Sequence, residues 1–410
     1  DGDVDFFVSV DGGPEQLWVF HDSTFTNEAS TYGMAGSNEA SGGCGWADVN
    51  DDGFPELFVA RRQSTPDLFF VSDGAGGLAP DSASGLGGTQ TSYDGAWGDV
   101  DGDGRSDLMV AVWGAPSHLY MNNGDGSFTD DGPNRGLAAL GLYTAVALGD
   151  VTHDGHLDAF LVGNSVDVFY GVNNGAGVFL PQGTTRGLPS VATAPPTSGV
   201  AISDLDADGD FDLIVTFEGS RPYFAYNDGD GDFTVVTSVV PSSAQMFGVA
   251  FLDFELDGDL DVALGRVSGA DVFLRYHPSA DALSWWGTDV GFADGNPTYP
   301  VAVGDLDADG DMDVFVSSSS ALKVIANTNA RPDLHRWVTL VPLSRSGSPA
   351  ATGAVARAVC VSGCTPAWQA VRSVGGGSGY RCQNAYGAHF GLPSTTAAYN
   401  MSVQWPGEGS

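Results

Sequence analysis

One nine-residue acidic pattern, D-x-D/N/E-x-D-G-x-x-D/E, recurs in register through most of this chain, and it limits the fold more than any other feature. Six copies align directly: GWADVNDDGFPE at 45–56, WGDVDGDGRSD at 97–107, LGDVTHDGHLD at 148–158, ISDLDADGDFD at 202–212, LDFELDGDLD at 252–261 and VGDLDADGDMD at 303–313. Their first acids, Asp48, Asp99, Asp150, Asp204, Asp253 and Asp305, are separated by 51, 51, 54, 49 and 52 residues. The opening DGDVD, Asp1 to Asp5, matches the second half of the same pattern. Its missing first acid would fall three positions before Asp1, again 51 residues ahead of Asp48. Seven units are therefore expected, the first incomplete at its start.

Each unit reads as four short strands. The first is small and apolar, as at 199–202, which suits a strand crowded near an axis. The acidic loop follows. The second strand is a near-continuous apolar run, such as 108–112 or 213–217, of the kind covered on both faces. A third carries aromatics, and a hairpin rich in Asn, Asp and Gly closes the unit, clearest in NNGDGSF at 122–128, NNGAGVF at 173–179 and NDGDGDF at 227–233. Four strands in about 50 residues, repeated radially, are the plan of a propeller blade. A β-solenoid is disfavoured, because its coils are shorter and rarely hold two hairpin turns. The expectation is an all-β chain: a seven-bladed β-propeller over residues 1–330 and a small β-rich domain over 331–410, with the boundary near NTNARPDLH at 327–335.

The loops carry the chemistry. Calcium takes six to eight oxygens, and EF-hand-type loops supply them from alternating positions. Here the predicted ligands are Asp1 and Asp5 in the first loop, and Asp48, Asn50, Asp52, Phe54 and Glu56 in the second. The third supplies Asp99, Asp101, Asp103, Arg105 and Asp107, and the fourth Asp150, Thr152, Asp154, His156 and Asp158. The fifth supplies Asp204, Asp206, Asp208, Asp210 and Asp212, and the sixth Asp253, Glu255, Asp257, Asp259 and Asp261. The seventh supplies Asp305, Asp307, Asp309, Asp311 and Asp313. Positions one, three, five and nine would give side-chain oxygens, the last through both of its own. Position seven would give its backbone carbonyl, which is why Phe54, Arg105 and His156 are tolerated there. Glycine at position six permits the sharp turn. The fourth loop, with Thr152 at position three, is the weakest. Asp-Gly alone marks turns, but turn chemistry does not require acids at four set positions together.

Charge supports this reading. The chain has 52 acids and 15 bases, a formal net charge of −37, and 29 of the acids fall inside the loops. Like charges so close must be neutralised. Up to about seven structural calcium ions are expected, with magnesium disfavoured because it prefers fewer carboxylates and more water. Such a surface repels nucleic acid and anionic membranes. No apolar run approaches the ~20 residues of a membrane-spanning helix. No leader is visible, but residue 1 falls inside a motif, so a true beginning upstream is expected. Of the four cysteines, Cys44, Cys360, Cys364 and Cys382, three cluster near the C-terminus, where a disulfide is favoured over zinc.

Catalytic patterns are absent: no G-x-S-x-G, H-E-x-x-H, phosphate-binding loop or G-x-G-x-x-G. Carboxylate pairs abound, but metal binding accounts for nearly all. Trp285 and Trp286 suggest either a sugar-stacking platform or blade packing, and Asn400-Met401-Ser402 is a sequon in a predicted strand.

The acidic loops with their flanking strands resemble the FG-GAP/VCBS repeats of integrin α-subunit propellers. The C-terminal stretches WVTLVPL (337–343), GAVARAV (353–359), GSGYRCQN (377–384), HFGL (389–392) and VQWPG (403–407) resemble an ASPIC/UnbV domain. Together they make the chain similar to the cartilage acidic protein family. Residues 361–367, which hold Cys364 and follow Cys360, look like an insertion, and no EGF-like module is seen within these 410 residues, after which a cut in the chain is also expected. The resemblance implies a secreted, non-enzymatic protein of adhesion, recognition or matrix, coat or fibre structure. Its partners would be extracellular protein or glycan, met on the face away from the calcium loops, or further copies of itself. A lectin or a polysaccharide-active enzyme is the alternative.

Overall fold

The structure is a computed structural model. It describes the chain apart from residues 1–4, 11, 22–23, 35–38, 76, 191–194, 238–239, 241–244, 278–281, 288–296, 319–321, 329–335, 344–351, 365–366, 376–382, 395 and 407–410. Asp1, most of GSGYRCQN and much of the expected boundary lie outside the described residues. Within them the chain is all-β, with strands throughout and two single-turn 3-10 helices, Gly132–Arg135 and Gly183–Arg186.

The repeated part folds unit by unit. In the fifth unit, Thr197–Ser203, Asp212–Phe217, Tyr223–Asn227 and Phe233–Thr237 form one antiparallel sheet in sequence order. The same meander recurs from Ser41–Ala47 to Leu78–Pro80 and from Met246–Leu252 to Ala282–Gly287. The third and fourth units are joined into one sheet by a short pairing of Gly141 and Leu142 with Ala115 and Trp113. Three strands are described in the first unit, Phe6–Val8, Gln16–His21 and Thr24–Asn27. Three are also described in the last, Thr298–Gly304, Asp313–Ser318 and Leu322–Ile325. First strands of successive units pack on one another, and the Phe6 ring lies 5.2 Å from that of Phe315, bringing the first unit against the last. This is a propeller arrangement.

Apolar residues of adjoining units form the core. One cluster joins Val162 and Tyr170 of the fourth unit to Val200, Val215 and Phe233 of the fifth, all buried. Phe160 and Tyr170 stack at 4.5 Å. Burying a large side chain of this kind contributes roughly 1.5–3 kcal/mol, so the interfaces between units carry much of the stability.

Polar staples fix these interfaces in register. Asn122, Asn173, Asn227 and Asn327 each donate from Nδ2 to a loop carbonyl of a preceding unit, those of Val49, Val100, Val151 and Phe254, all at 2.8 Å. The sequence marks Asn122, Asn173 and Asn227 only as hairpin residues, and Asn327 only as the start of the boundary stretch. A second clasp sits at the opposite end of the sheets. Asp67 accepts from Arg61 N–H (2.7 Å) and from the Ser92 hydroxyl of the next unit (2.8 Å). Asp271 does the same with Arg266 N–H (2.7 Å) and Thr298 (2.9 Å), and Glu15 with Val10 N–H (2.9 Å) and Ser41.

The C-terminal part forms two small sheets. Arg336–Leu340 pairs with Ala388–Leu392, and Val355–Ser362 lies between Gln369–Ser373 and Ala398–Gln404. Cys360 and Cys364 are disulfide-bonded, as the cysteine spacing suggested. The two tryptophans part company: Trp286 packs edge-on against Phe254 and Phe273, while Trp285 is half exposed. Blade packing therefore accounts for Trp286, and no two-ring platform forms.

Replacing Asn173, which is 2% exposed, with Ala strands the Val100 and Leu157 carbonyls that it caps. Urea unfolding at fixed calcium should show a loss of about 1–3 kcal/mol. A change within about 0.5 kcal/mol would remove the staple from the account.

Candidate metal centre

Each acidic loop links the first strand of a unit to its second, and its acids first organise the loop itself. The position-one carboxylate accepts from the N–H of position five: Asp48 from Asp52, Asp99 from Asp103, Asp150 from Asp154 and Asp253 from Asp257, at 3.0–3.1 Å. Its other oxygen accepts from the position-six glycine, as Asp99 does from Gly104 at 2.8 Å. These glycines have φ from +87° to +100°, a region closed to most side chains. Position five in turn accepts from the N–H of position seven, as Asp208 does from Asp210 at 2.9 Å.

The ninth position is held most firmly. One carboxylate oxygen of Glu56, Asp107, Asp158, Asp212, Asp261 and Asp313 accepts from the N–H of position two at 2.8–3.2 Å. The other accepts from the third strand, at 2.8–2.9 Å from Asn122, Asn173, Asn227 and Asn327. Asp5 accepts from Phe20 N–H at 2.9 Å, the same third-strand bond, which places it at the ninth position of the first loop. Both oxygens thus serve the fold, each keeping a second lone pair for a cation.

Three loops bring their acids together. One oxygen each from Asp99, Asp101 and Asp107 lies within 4.8 Å of the other two, and likewise for Asp204, Asp206 and Asp212, and for Asp305, Asp307 and Asp313. A calcium ion bonds oxygens at 2.3–2.6 Å, so its ligands stand up to about 5 Å apart across it. Asp101 Oδ1 and Asp305 Oδ1 are buried and accept no hydrogen bond among the described residues. A buried carboxylate oxygen without a donor fits a cation, so these donor sets suit calcium.

The other described loops differ at position three. In the second, Asn50 Nδ2 donates to Asp52 (3.1 Å) and Glu56 (3.3 Å). In the fourth, Thr152 donates to Asp158 at 3.2 Å. In the sixth, the Arg275 guanidinium pairs with Glu255 and stands 3.4 Å from Asp257, with Trp286 beneath it. The side chains of Arg105 and His153 turn to neighbouring acids, Asp103 and Asp210.

Burial, then mutual repulsion, raises the loop carboxyls. Asp107 is pushed to about 8 by desolvation, with Asp101 and Asp99 adding to it. Asp253 is also near 8, and Glu56, Asp158, Asp206, Glu255 and Asp259 are near 7. Asp99 and Asp204 are near 6, and Asp212 and Asp261 lie well above the usual carboxylate range. Desolvation is the largest cause throughout.

The C-terminal sheets lie on this same face, which the sequence did not reveal. Val371 N–H donates to Asp204 Oδ2 at 2.9 Å, Gln369 to the Asp208 carbonyl, Arg357 to the Gly209 carbonyl at 3.3 Å, and His389 Nε2 to the Gly310 carbonyl at 2.9 Å. Arg372 is buried over the Phe390 ring and faces Asp204, Asp253 and Asp259, whose charges oppose the lowering of its pKa by burial. The C-terminal sheets thus touch the fifth, sixth and seventh loops, while Asp208, Asp307 and Asp309 stay exposed.

Residues 48–110, 99–161 and 204–264 match the FG-GAP-like repeat, and residues 345–410 match ASPIC and UnbV. Cartilage acidic protein 1 of Xenopus tropicalis is 27% identical over 320 residues, which is 76% of this chain and 41% of that protein. Cartilage acidic protein 1 of Homo sapiens is 25% identical over 75% of this chain and 40% of its own. The chain therefore spans about two fifths of the length of the curated relatives it matches. Among solved structures, YCF48 bound to D1 peptide aligns with a TM-score of 0.47 at 12% identity, covering 77% of this chain and 86% of that one.

The raised carboxyls set the pH response of the ion-free protein. The folded state binds more protons than the unfolded chain between about pH 4 and the folded values of 6 to 8. Stability is therefore fully present at the acidic end and lost as pH rises through that window. Thermal melts after exhaustive metal removal should show a higher Tm at pH 5.5 than at pH 8. Saturating calcium should flatten or reverse that slope, since protons then compete with the ion. A flat metal-free profile would contradict the burial of these groups.

Proposed function

We propose that this chain, which carries FG-GAP-like repeats and an ASPIC and UnbV segment and is similar to cartilage acidic protein 1, is a secreted calcium-binding propeller. Its role is adhesion, recognition or matrix structure rather than catalysis. It comprises seven blades over residues 1–330 and a small β-rich domain over 331–410. The observation that supports the reading is the convergence of three carboxylate oxygens in each of the third, fifth and seventh loops, the ninth-position one buried in every case. In those loops calcium takes Asp99, Asp101 and Asp107, or their counterparts, together with the fifth-position side chain and the seventh-position carbonyl. The second, fourth and sixth loops bind more weakly, because an amide, a hydroxyl and a guanidinium occupy or engage position three. The ions neutralise carboxyls that otherwise hold protons and so fix the turns that join the inner strands of each blade.

Partner contacts fall on the opposite face. There Tyr93 packs with Trp113 at 5.6 Å under the guanidinium of Arg62, Phe247 packs with Tyr299 at 5.5 Å, and Leu140 is 74% exposed. Extracellular protein or glycan suits this aromatic surface.

Calcium should raise Tm. At calcium concentrations of 100 times Kd, three sites contribute about 8 kcal/mol, or about 10 °C for a chain of this size. Scanning calorimetry in millimolar calcium and in excess chelator measures it. Asp305→Asn should remove about a third of the shift. Identical melts in both buffers would overturn the proposal.

A further inference from the structure

We propose that the sixth loop takes no calcium, and that the guanidinium groups of Arg275 and Arg372 stand in the ion's place. The inference rests on the calcium reading of the other loops and goes beyond weaker binding at this one. By composition the sixth loop should be a full site, because positions one, three, five and nine are all acids: Asp253, Glu255, Asp257 and Asp261. The second and fourth loops lack a carboxylate at position three, where Asn50 and Thr152 stand. Yet among the described residues Asp253, Glu255 and Asp261 form no oxygen triad, whereas the third, fifth and seventh loops do. The sixth loop therefore fails on geometry, not on donor chemistry.

Arg275 supplies the cause. It stands on the third strand of its unit, Val272–His277, one residue before Tyr276, whose N–H donates to Asp261 at 3.2 Å. In the other units the residue at that place is Val19, Val71, Met121, Val172, Tyr226 or Ala326, never a cation. The Arg275 guanidinium pairs with Glu255, stands 3.4 Å from Asp257, and lies over the Trp286 ring, 5.1 Å from its centroid. A planar guanidinium meets a carboxylate and an aromatic face together. It is thus fixed on the position-three acid, where calcium needs a free oxygen. The other end of the loop is closed by the C-terminal sheets. Gly391 packs so close to Asp253 Oδ2 that a Cβ there would collide with it. Arg372 is held by Nε on the His389 carbonyl (3.2 Å) and by Nη1 on the Val371 carbonyl (3.0 Å). Burial raises the carboxyls of Asp253 and Asp259, and the Arg372 charge draws both down. Two guanidiniums carry the charge of one divalent ion. The C-terminal sheets then stay docked on this loop without metal, while the third, fifth and seventh loops depend on it.

Counting bound calcium by native mass spectrometry on the full chain tests this, wild type against Arg275→Gln at saturating calcium. The variant should carry one more ion than the wild type. Terbium in place of calcium gives a second reading, because Trp286 stands beside the loop and can pass excitation energy to a bound lanthanide. Arg275→Gln should gain tryptophan-sensitised emission, and adding Trp286→Phe should remove that gain. An unchanged ion count and emission in folded Arg275→Gln would overturn the proposal. Anomalous maps of the wild-type protein in calcium decide it without any variant. Ions at the third, fifth and seventh loops with the sixth empty support it. An ion among Asp253, Glu255 and Asp261 overturns this inference alone, and ions at no loop overturn the calcium reading with it.

Discussion

Buried like charges are the constraint around which this fold is built. Asp107, Asp158, Asp212, Asp261 and Asp313 sit at 0–2% exposure, each beside other acids of its own loop. Each also accepts two backbone N–H bonds, one from its loop and one from the third strand. The carboxylate is thus the joint that fixes the turn, and its charge must be met by a proton or a cation. On the proposed function, a divalent ion at neutral pH would answer both needs, because it would gather the remaining oxygens of the loop without adding bulk.

Much of this could be read in the chain. The period of the acids gave the unit, its apolar runs gave the strands, and Asn-Gly and Asp-Gly gave the hairpins, because all are local rules. What stayed hidden depends on distance. Asn122, Asn173 and Asn227 stand 15 residues after the ninth-position acid in each case, a spacing that could have marked them. Their reach of 73–76 residues to a preceding loop, however, follows only from closure around an axis. Arg275 likewise reads as one arginine among fifteen bases, and only the third strand's register brings it to Glu255. The inequality of the loops is therefore a tertiary property.

The placement of the C-terminal sheets divides the molecule into two faces. On one, Val371, Gln369, Arg357 and His389 bond loop atoms, and Arg372 lies buried among aspartates. These contacts read the shape of the fifth and seventh loops, so loop order and docking reinforce each other. On the other face, Glu15, Asp67 and Asp271 clasp neighbouring units with no metal needed, since each finds a backbone donor and a hydroxyl. Contacts that tighten the ring are thus shared between the face of the acidic loops and the face of these carboxylate clasps.

Anomalous X-ray scattering from crystals grown in calcium tests the central claim most directly. The account predicts strong peaks at the oxygen triads of Asp99, Asp204 and Asp305, each with six to eight oxygens at 2.3–2.6 Å. Triads filled by water alone at saturating calcium would contradict it.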